Sequence, residues 1–69
     1  MDKETVVEKL RELFGREAFV ERGVLKVAVT EEEYKKYSTY ECIRDQLKEI
    51  GYNASWGYAP VERRGDDKN

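Results

Sequence analysis

The side chains best suited to chemistry in this chain are aromatic. Five Tyr and one Trp lie between positions 34 and 58, while the segment before them carries only Phe14 and Phe19. Tyr34-Lys35-Lys36-Tyr37 interleaves rings with ammonium groups, a composition that suits stacking on nucleobases with contacts to phosphate. Lys26, Arg63 and Arg64 are the other basic residues that could extend such a patch. The same rings suit a protein interface, because Tyr and Trp offer large area and a polar tip. Tyr34, Tyr37, Trp56 and Tyr58 are therefore the candidate protein-binding residues. A helix presenting Tyr to its own sheet would leave the same pattern, and Trp56 also suits sheet packing.

Catalysis is poorly supplied. The chain has no His, so the usual general base near neutral pH is missing. Cys42 is the single cysteine; beside Ile43 and without a His partner, it is expected to be a small buried or half-buried core residue. Carboxylate runs occur at Glu31 to Glu33 and at Asp66-Asp67, but such runs serve as helix caps or solvated faces. No phosphate-cradling glycine loop or nucleophile elbow is present. No catalytic residue is assigned, no cofactor is expected, and a structural zinc site has almost no ligands. Any metal would rest on carboxylates alone.

Composition narrows the class further. Sixty-nine residues make one domain, and so short a chain buries only about 60% of the surface its unfolded form exposes. Charged residues reach 41%, against an ordinary share of about 25%. That excess suits either a thermophilic source or a well-solvated surface. A net charge of −2 argues against general electrostatic capture of nucleic acid while leaving room for a local basic patch. No long apolar run suggests a membrane span, and Met1-Asp2-Lys3-Glu4 is charged where a signal peptide would turn apolar. A cytoplasmic protein is expected.

The elements that must position the aromatic residues follow from periodicity. Val6, Val7, Leu10, Leu13 and Phe14 mark one face of a helix. Thr5 with Glu8 offers it a capping box, Asp2 an earlier cap, and Gly15 a stop. Residues 17–30 read as a β-hairpin. A two-residue Arg22-Gly23 turn is one choice, but Arg suits positive φ poorly. A three-residue loop with Gly23 left-handed is preferred; it sets Phe19 beside Leu25 on the face of Val27 and Val29. Val20, Val24, Lys26 and Ala28 then form a half-polar opposite face, and a one-residue slip would exchange these faces.

Thr30 with Glu33 reads as a second capping box, and Ser38 with Glu41 as a third. They suggest a short helical turn followed by a main helix carrying Ile43, Leu47 and Ile50, closed by Gly51. Tyr52, Ala54, Trp56 and Tyr58 then alternate with smaller residues as a half-buried strand that Pro60 ends.

The expected architecture is α+β, a single two-layer domain over residues 1–61 with a flexible charged tail over 62–69. Its order is α-β-β-α-β. A right-handed crossover predicts a three-stranded antiparallel sheet of order 2-1-3, with two helices on one face. The hairpin, helix and final strand, with Gly51-Tyr52 after the apolar helix, look like the latter part of a ferredoxin-like fold. No motif in the chain identifies a family.

The functional expectation is a non-enzymatic binding module, homodimeric and docking on another protein through its Tyr/Trp surface. A thin core gains from self-association, and one sheet face is left open. Small accessory proteins of viruses, phages or plasmids have this profile by analogy. The alternative is a small nucleic-acid-binding regulator that uses Tyr34 to Tyr37 and the nearby basic residues.

Overall fold

Asp2 opens the first helix, α1 (Lys3–Phe14): its carboxylate accepts from the Thr5 backbone N–H at 3.0 Å. Hydrogen bonding to Thr5 holds that carboxyl below its ordinary pKa. The earlier of the two caps is thus the one in use. Val6 and Leu10 are fully buried, and Val7 and Phe14 pack beside them. Leu13, expected on the same face, is 60% exposed. On a turn of about 3.6 residues it lies within about 20° of Val6, but two turns further along, in the last turn of the helix.

Both long helices stop at a left-handed glycine. Gly15 has φ +67° and donates to the Arg11 carbonyl, while Arg16 N–H reaches the Leu10 carbonyl. Gly51, at φ +102°, ends α3 (Tyr37–Ile50), with Tyr52 N–H donating to the Leu47 carbonyl at 2.9 Å. The Gly51 ending is a Schellman motif and the Gly15 ending the simpler αL motif with its 5→1 bond; both need a left-handed residue at low cost.

The computed structural model describes residues 2–61; the tail expected over 62–69 lies outside the described residues. Between the helices stand β1 (Ala18–Glu21) and β2 (Val24–Val29), then the one-turn helix α2 (Glu31–Tyr34). Strand β3 (Trp56–Pro60) closes the order. The Thr30–Glu33 capping box forms at both of its bonds, each 3.0 Å. The Ser38–Glu41 box does not. Helix α3 starts one residue before Ser38, with Lys36 at the cap position and no side-chain cap bond.

The hairpin corrects the expected loop. Arg22 and Gly23 alone connect the strands, at φ +54° and +76°, the two positive angles of a primed turn. Val20 therefore pairs with Leu25, and Phe19 with Lys26. Strand β2 has the expected orientation, with Leu25, Val27 and Val29 inward. Strand β1 is slipped by one residue, so Ala18 and Val20 join the core and Phe19 is 38% exposed on the other face. The physical reason is twist. A two-residue primed turn matches the twist of its strands, and this fit outweighs the strain of one left-handed Arg.

The sheet is mixed, of order β1-β2-β3, rather than antiparallel of order 2-1-3. Strand β3 runs parallel to β2, from Leu25 beside Trp56 to Val29 beside Pro60. Strand β2 is the six-residue strand with three core side chains, whereas β1 has four residues and offers the core Ala18 and Val20. Setting β2 in the centre pairs both of its edges and brings Leu25 and Val27 to zero exposure. Val6, Leu10, Ile43, Leu47 and Tyr52 complete the core from the helix side. The other face carries Phe19, Val24, Lys26, Ala28, Gly57 and Ala59, with none of the described helices over it.

Two outcomes follow. Truncating Leu10 or Leu47 to Ala should cost about 2–5 kcal/mol in a denaturant melt, since each fills the core from a different helix. Arg22→Asn should stabilise the hairpin by roughly 0.5–1 kcal/mol in the same assay, because Asn tolerates the left-handed conformation that Arg is forced to adopt.

Candidate functional site

Parallel neighbours in register share a face. The pairing of Leu25 with Trp56 and Val27 with Tyr58 therefore directs both aromatic rings to the helix side. There they meet Tyr40, the residue on α3 that continues the Ile43–Leu47 stripe toward its N-terminus. Tyr40 stacks on Trp56 at 5.5 Å and 14° between ring planes, and lies 6.4 Å from Tyr58. Trp56 and Tyr58 are themselves 6.1 Å apart.

Two more rings extend the cluster outward. Tyr34, at the end of α2, meets Tyr58 edge-on at 5.7 Å, and Tyr37, at the start of α3, stacks on Tyr40 at 5.7 Å. Such pairs contribute about 0.5–1.5 kcal/mol each beyond their buried area. Tyr34 and Tyr37 remain 49% and 69% exposed, so they rest on the domain without being enclosed by it. The Arg44 guanidinium lies 5.9 Å from the centre of the Tyr40 ring, within cation–π range. Among the described residues only Tyr52 of the five tyrosines hydrogen-bonds through its hydroxyl.

Tyr34, Tyr40, Trp56, Gly57 and Tyr58 line an open concavity of about 470 Å³. All four residues singled out for protein binding, Tyr34, Tyr37, Trp56 and Tyr58, thus belong to one connected cluster. The joining residue, Tyr40, was visible only as the third member of a three-spaced Tyr row. Its spacing of three and seven from Ile43 and Leu47 is the signal that sets it on the core side of α3. Gly57 carried no signal, because its role depends on where β3 lies.

The basic residues are dispersed. Lys35 and Lys36 are exposed between α2 and α3, next to the rings. Lys26 stands on the opposite sheet face, 3.6 Å from the Glu21 carboxylate, and its alkyl chain lies over Gly57. Arg63 and Arg64 lie outside the described residues. Tyr52, expected in the strand, instead precedes it: its ring is buried and its hydroxyl donates to the Ser55 carbonyl at 2.8 Å. Cys42 is exposed, where a core position was expected. A turn of about 100° from Ile43 carries it off the buried stripe, and its Sγ accepts a weak bond from Arg16 at 3.6 Å. Among the described residues no three His, Cys, Asp or Glu side chains converge as metal ligands, and no helix is long and apolar enough to cross a membrane.

Comparison with known proteins finds no matching family model, and no curated protein or solved structure similar to this chain.

The layered exposure of the rings predicts a graded response. Tyr37→Ala should lower stability much less than Leu47→Ala, and Lys35→Glu with Lys36→Glu should change it by less than about 0.5 kcal/mol. Thermal melts of the three variants check this; a Tyr37→Ala loss equal to that of Leu47→Ala would make Tyr37 a core residue.

Proposed function

We propose that this chain is a non-enzymatic interaction module that docks on protein surfaces, including a copy of itself, through the aromatic cluster. One observation carries the reading. Tyr34, Tyr37, Trp56 and Tyr58 come from three different elements, yet form one continuous and partly open surface around a concavity. Clustered Tyr and Trp, large in area and polar at the tip, are what interface anchors are made of. A domain whose covered core rests on eight buried apolar residues also has much to gain from burying more apolar surface in a complex. The non-enzymatic part of the reading rests on composition: there is no His, and Glu33 is committed to capping α2. We take the setting to be the cytoplasm, where a single free thiol such as Cys42 is ordinary.

Nucleic-acid binding is the second reading, favoured by Lys35 and Lys36 beside exposed rings and by Arg44 over Tyr40. Against it, Lys26 faces the other way and is paired with Glu21. An affinity pull-down from the native host, with and without nuclease, tests the two. Recovery of a protein that resists nuclease and is lost with Tyr34→Ala/Tyr37→Ala supports protein docking. Recovery that nuclease abolishes, and that Lys35→Glu/Lys36→Glu also abolishes, would replace it with the second reading.

A further inference from the structure

Among the described strands β3 stands at an edge of the sheet, and its sequence is unusual. Residues 52–61, Tyr-Asn-Ala-Ser-Trp-Gly-Tyr-Ala-Pro-Val, hold no charged side chain in a chain that is 41% charged. Natural edge strands are blunted by charge because their unpaired backbone groups invite another strand. The opposite edge obeys that rule: β1 is bracketed by Glu17, Glu21 and Arg22. On β3 only Pro60 does so, and it stands at the last position of the strand.

The free groups of β3 can be read from its ladder. Val61 N–H donates to the Val29 carbonyl at 3.1 Å, so residue 61 directs its backbone at β2. Backbone direction alternates along a strand. Gly57 and Ala59 therefore also bond to β2, while Trp56, Tyr58 and Pro60 turn their backbone groups outward. Among the described residues, the N–H and C=O of Trp56 and of Tyr58, plus the Pro60 carbonyl, thus have no backbone partner on the outer edge. Pro60 has no donor to lose.

We propose that a second copy of this chain adds its own β3 antiparallel to this edge, about a two-fold axis at Gly57, making one six-stranded sheet. This rests on the self-association included in the functional reading above and assigns it a surface and a register. In that register Trp56 pairs with Tyr58 of the other copy, and both exchange N–H···O=C bonds. All four outward groups of Trp56 and Tyr58 are satisfied in each copy. A register centred on Tyr58 would set Trp56 against Pro60 and orphan the Trp56 carbonyl, which Pro60 cannot serve.

The side chains agree with the backbone. Cross-strand Trp–Tyr pairs on the helix side are favourable, and the concavity at Tyr34, Tyr40 and Gly57 lies where the added strand's rings would seat. At the centre, Gly57 faces Gly57 across a non-bonded pair, the closest approach in an antiparallel ladder, at about 4.5 Å between Cα atoms. Gly57 itself brings no side chain to that centre, and the Lys26 alkyl chain of the same copy passes within ordinary contact, 3.6 Å, of where a Cβ would stand. Among the described strands only β3 is uncharged as well as edge-exposed, so the occupant that complements it best is β3 itself. The symmetry is that of an isologous dimer, the commonest closed assembly.

The register gives a sharp test in a Cys42→Ser background, with sedimentation velocity on the full chain followed by mild oxidation. The protein should sediment as a dimer at micromolar concentration. Gly57→Cys should form a disulfide-linked dimer in high yield, because a Cα separation of about 4.5 Å lies within disulfide geometry. Ala59→Cys should not, since the two copies of that position would lie roughly 13 Å apart along the strands, by a rise of about 3.3 Å per residue. A monomer at high concentration overturns the proposal while leaving docking on another protein to the pull-down. A dimer in which Ala59→Cys crosslinks as well as Gly57→Cys, or neither does, also overturns it, by setting the self-interface elsewhere. If Gly57→Cys disturbs folding, judged by circular dichroism, the same register predicts a crosslink between Ser55→Cys on one copy and Ala59→Cys on the other when the two variants are mixed. Its absence then counts against the proposal.

Discussion

The burial of one row of side chains, Leu25, Val27 and Val29 on β2, organises everything else in this domain. Each is buried to within a few per cent of complete exclusion from water. Together they form the floor on which α1 and α3 rest, through Val6 and Leu10 on one side and Ile43 and Leu47 on the other. A chain this short has no second core. The strand that carries the longest apolar row is therefore drawn to the centre, where both of its edges are paired and one whole face is covered.

The aromatic surface inherits its position from that row. Because β3 lies in register beside β2, Trp56 follows Leu25 and Tyr58 follows Val27 out to the sheet's edge on the same face. The core floor thus continues as an aromatic shelf. Tyr40 continues the α3 stripe above it, and the two meet in a near-parallel stack. Core and candidate interface are one surface that grades from fully buried to open, with Tyr34 and Tyr37 as its outermost members. This explains why rings that suit protein packing and rings that suit ligand contact are hard to separate by composition.

The glycines bound this arrangement at its ends. Gly15 and Gly51 let two helices stop abruptly in left-handed caps, so that α1 turns at once toward β1 and α3 toward β3. The bond from Tyr52 N–H to Leu47, with the Tyr52 hydroxyl on the Ser55 carbonyl, secures the short approach to β3. The last strand is thereby delivered to the sheet by a tethered segment. That tether is short for a connection of this kind, which suits a neighbour reached directly across the crossover helix.

Local chemistry made much of this legible from the residues alone. Helix stripes at Val6–Leu10 and Ile43–Leu47, the Thr30–Glu33 capping box, the glycine stops and the inward face of β2 all depend on contacts within a few positions along the chain. The α+β class and the helices on one sheet face followed from them. What only the tertiary structure decided was non-local or finely balanced. Two loop geometries differing by one residue placed Phe19 or Val20 inside, and strand twist chose the tighter turn at Arg22-Gly23. Strand β3 could join either edge of the hairpin in the same direction, and the gain from enclosing β2 set it beside that strand. The aromatic residues were readable as a composition, but their union through Tyr40, the separation of Lys26 from them and the exposure of Cys42 were not. Those depend on which element lies beside which, and side-chain periodicity carries no term for the distance between elements.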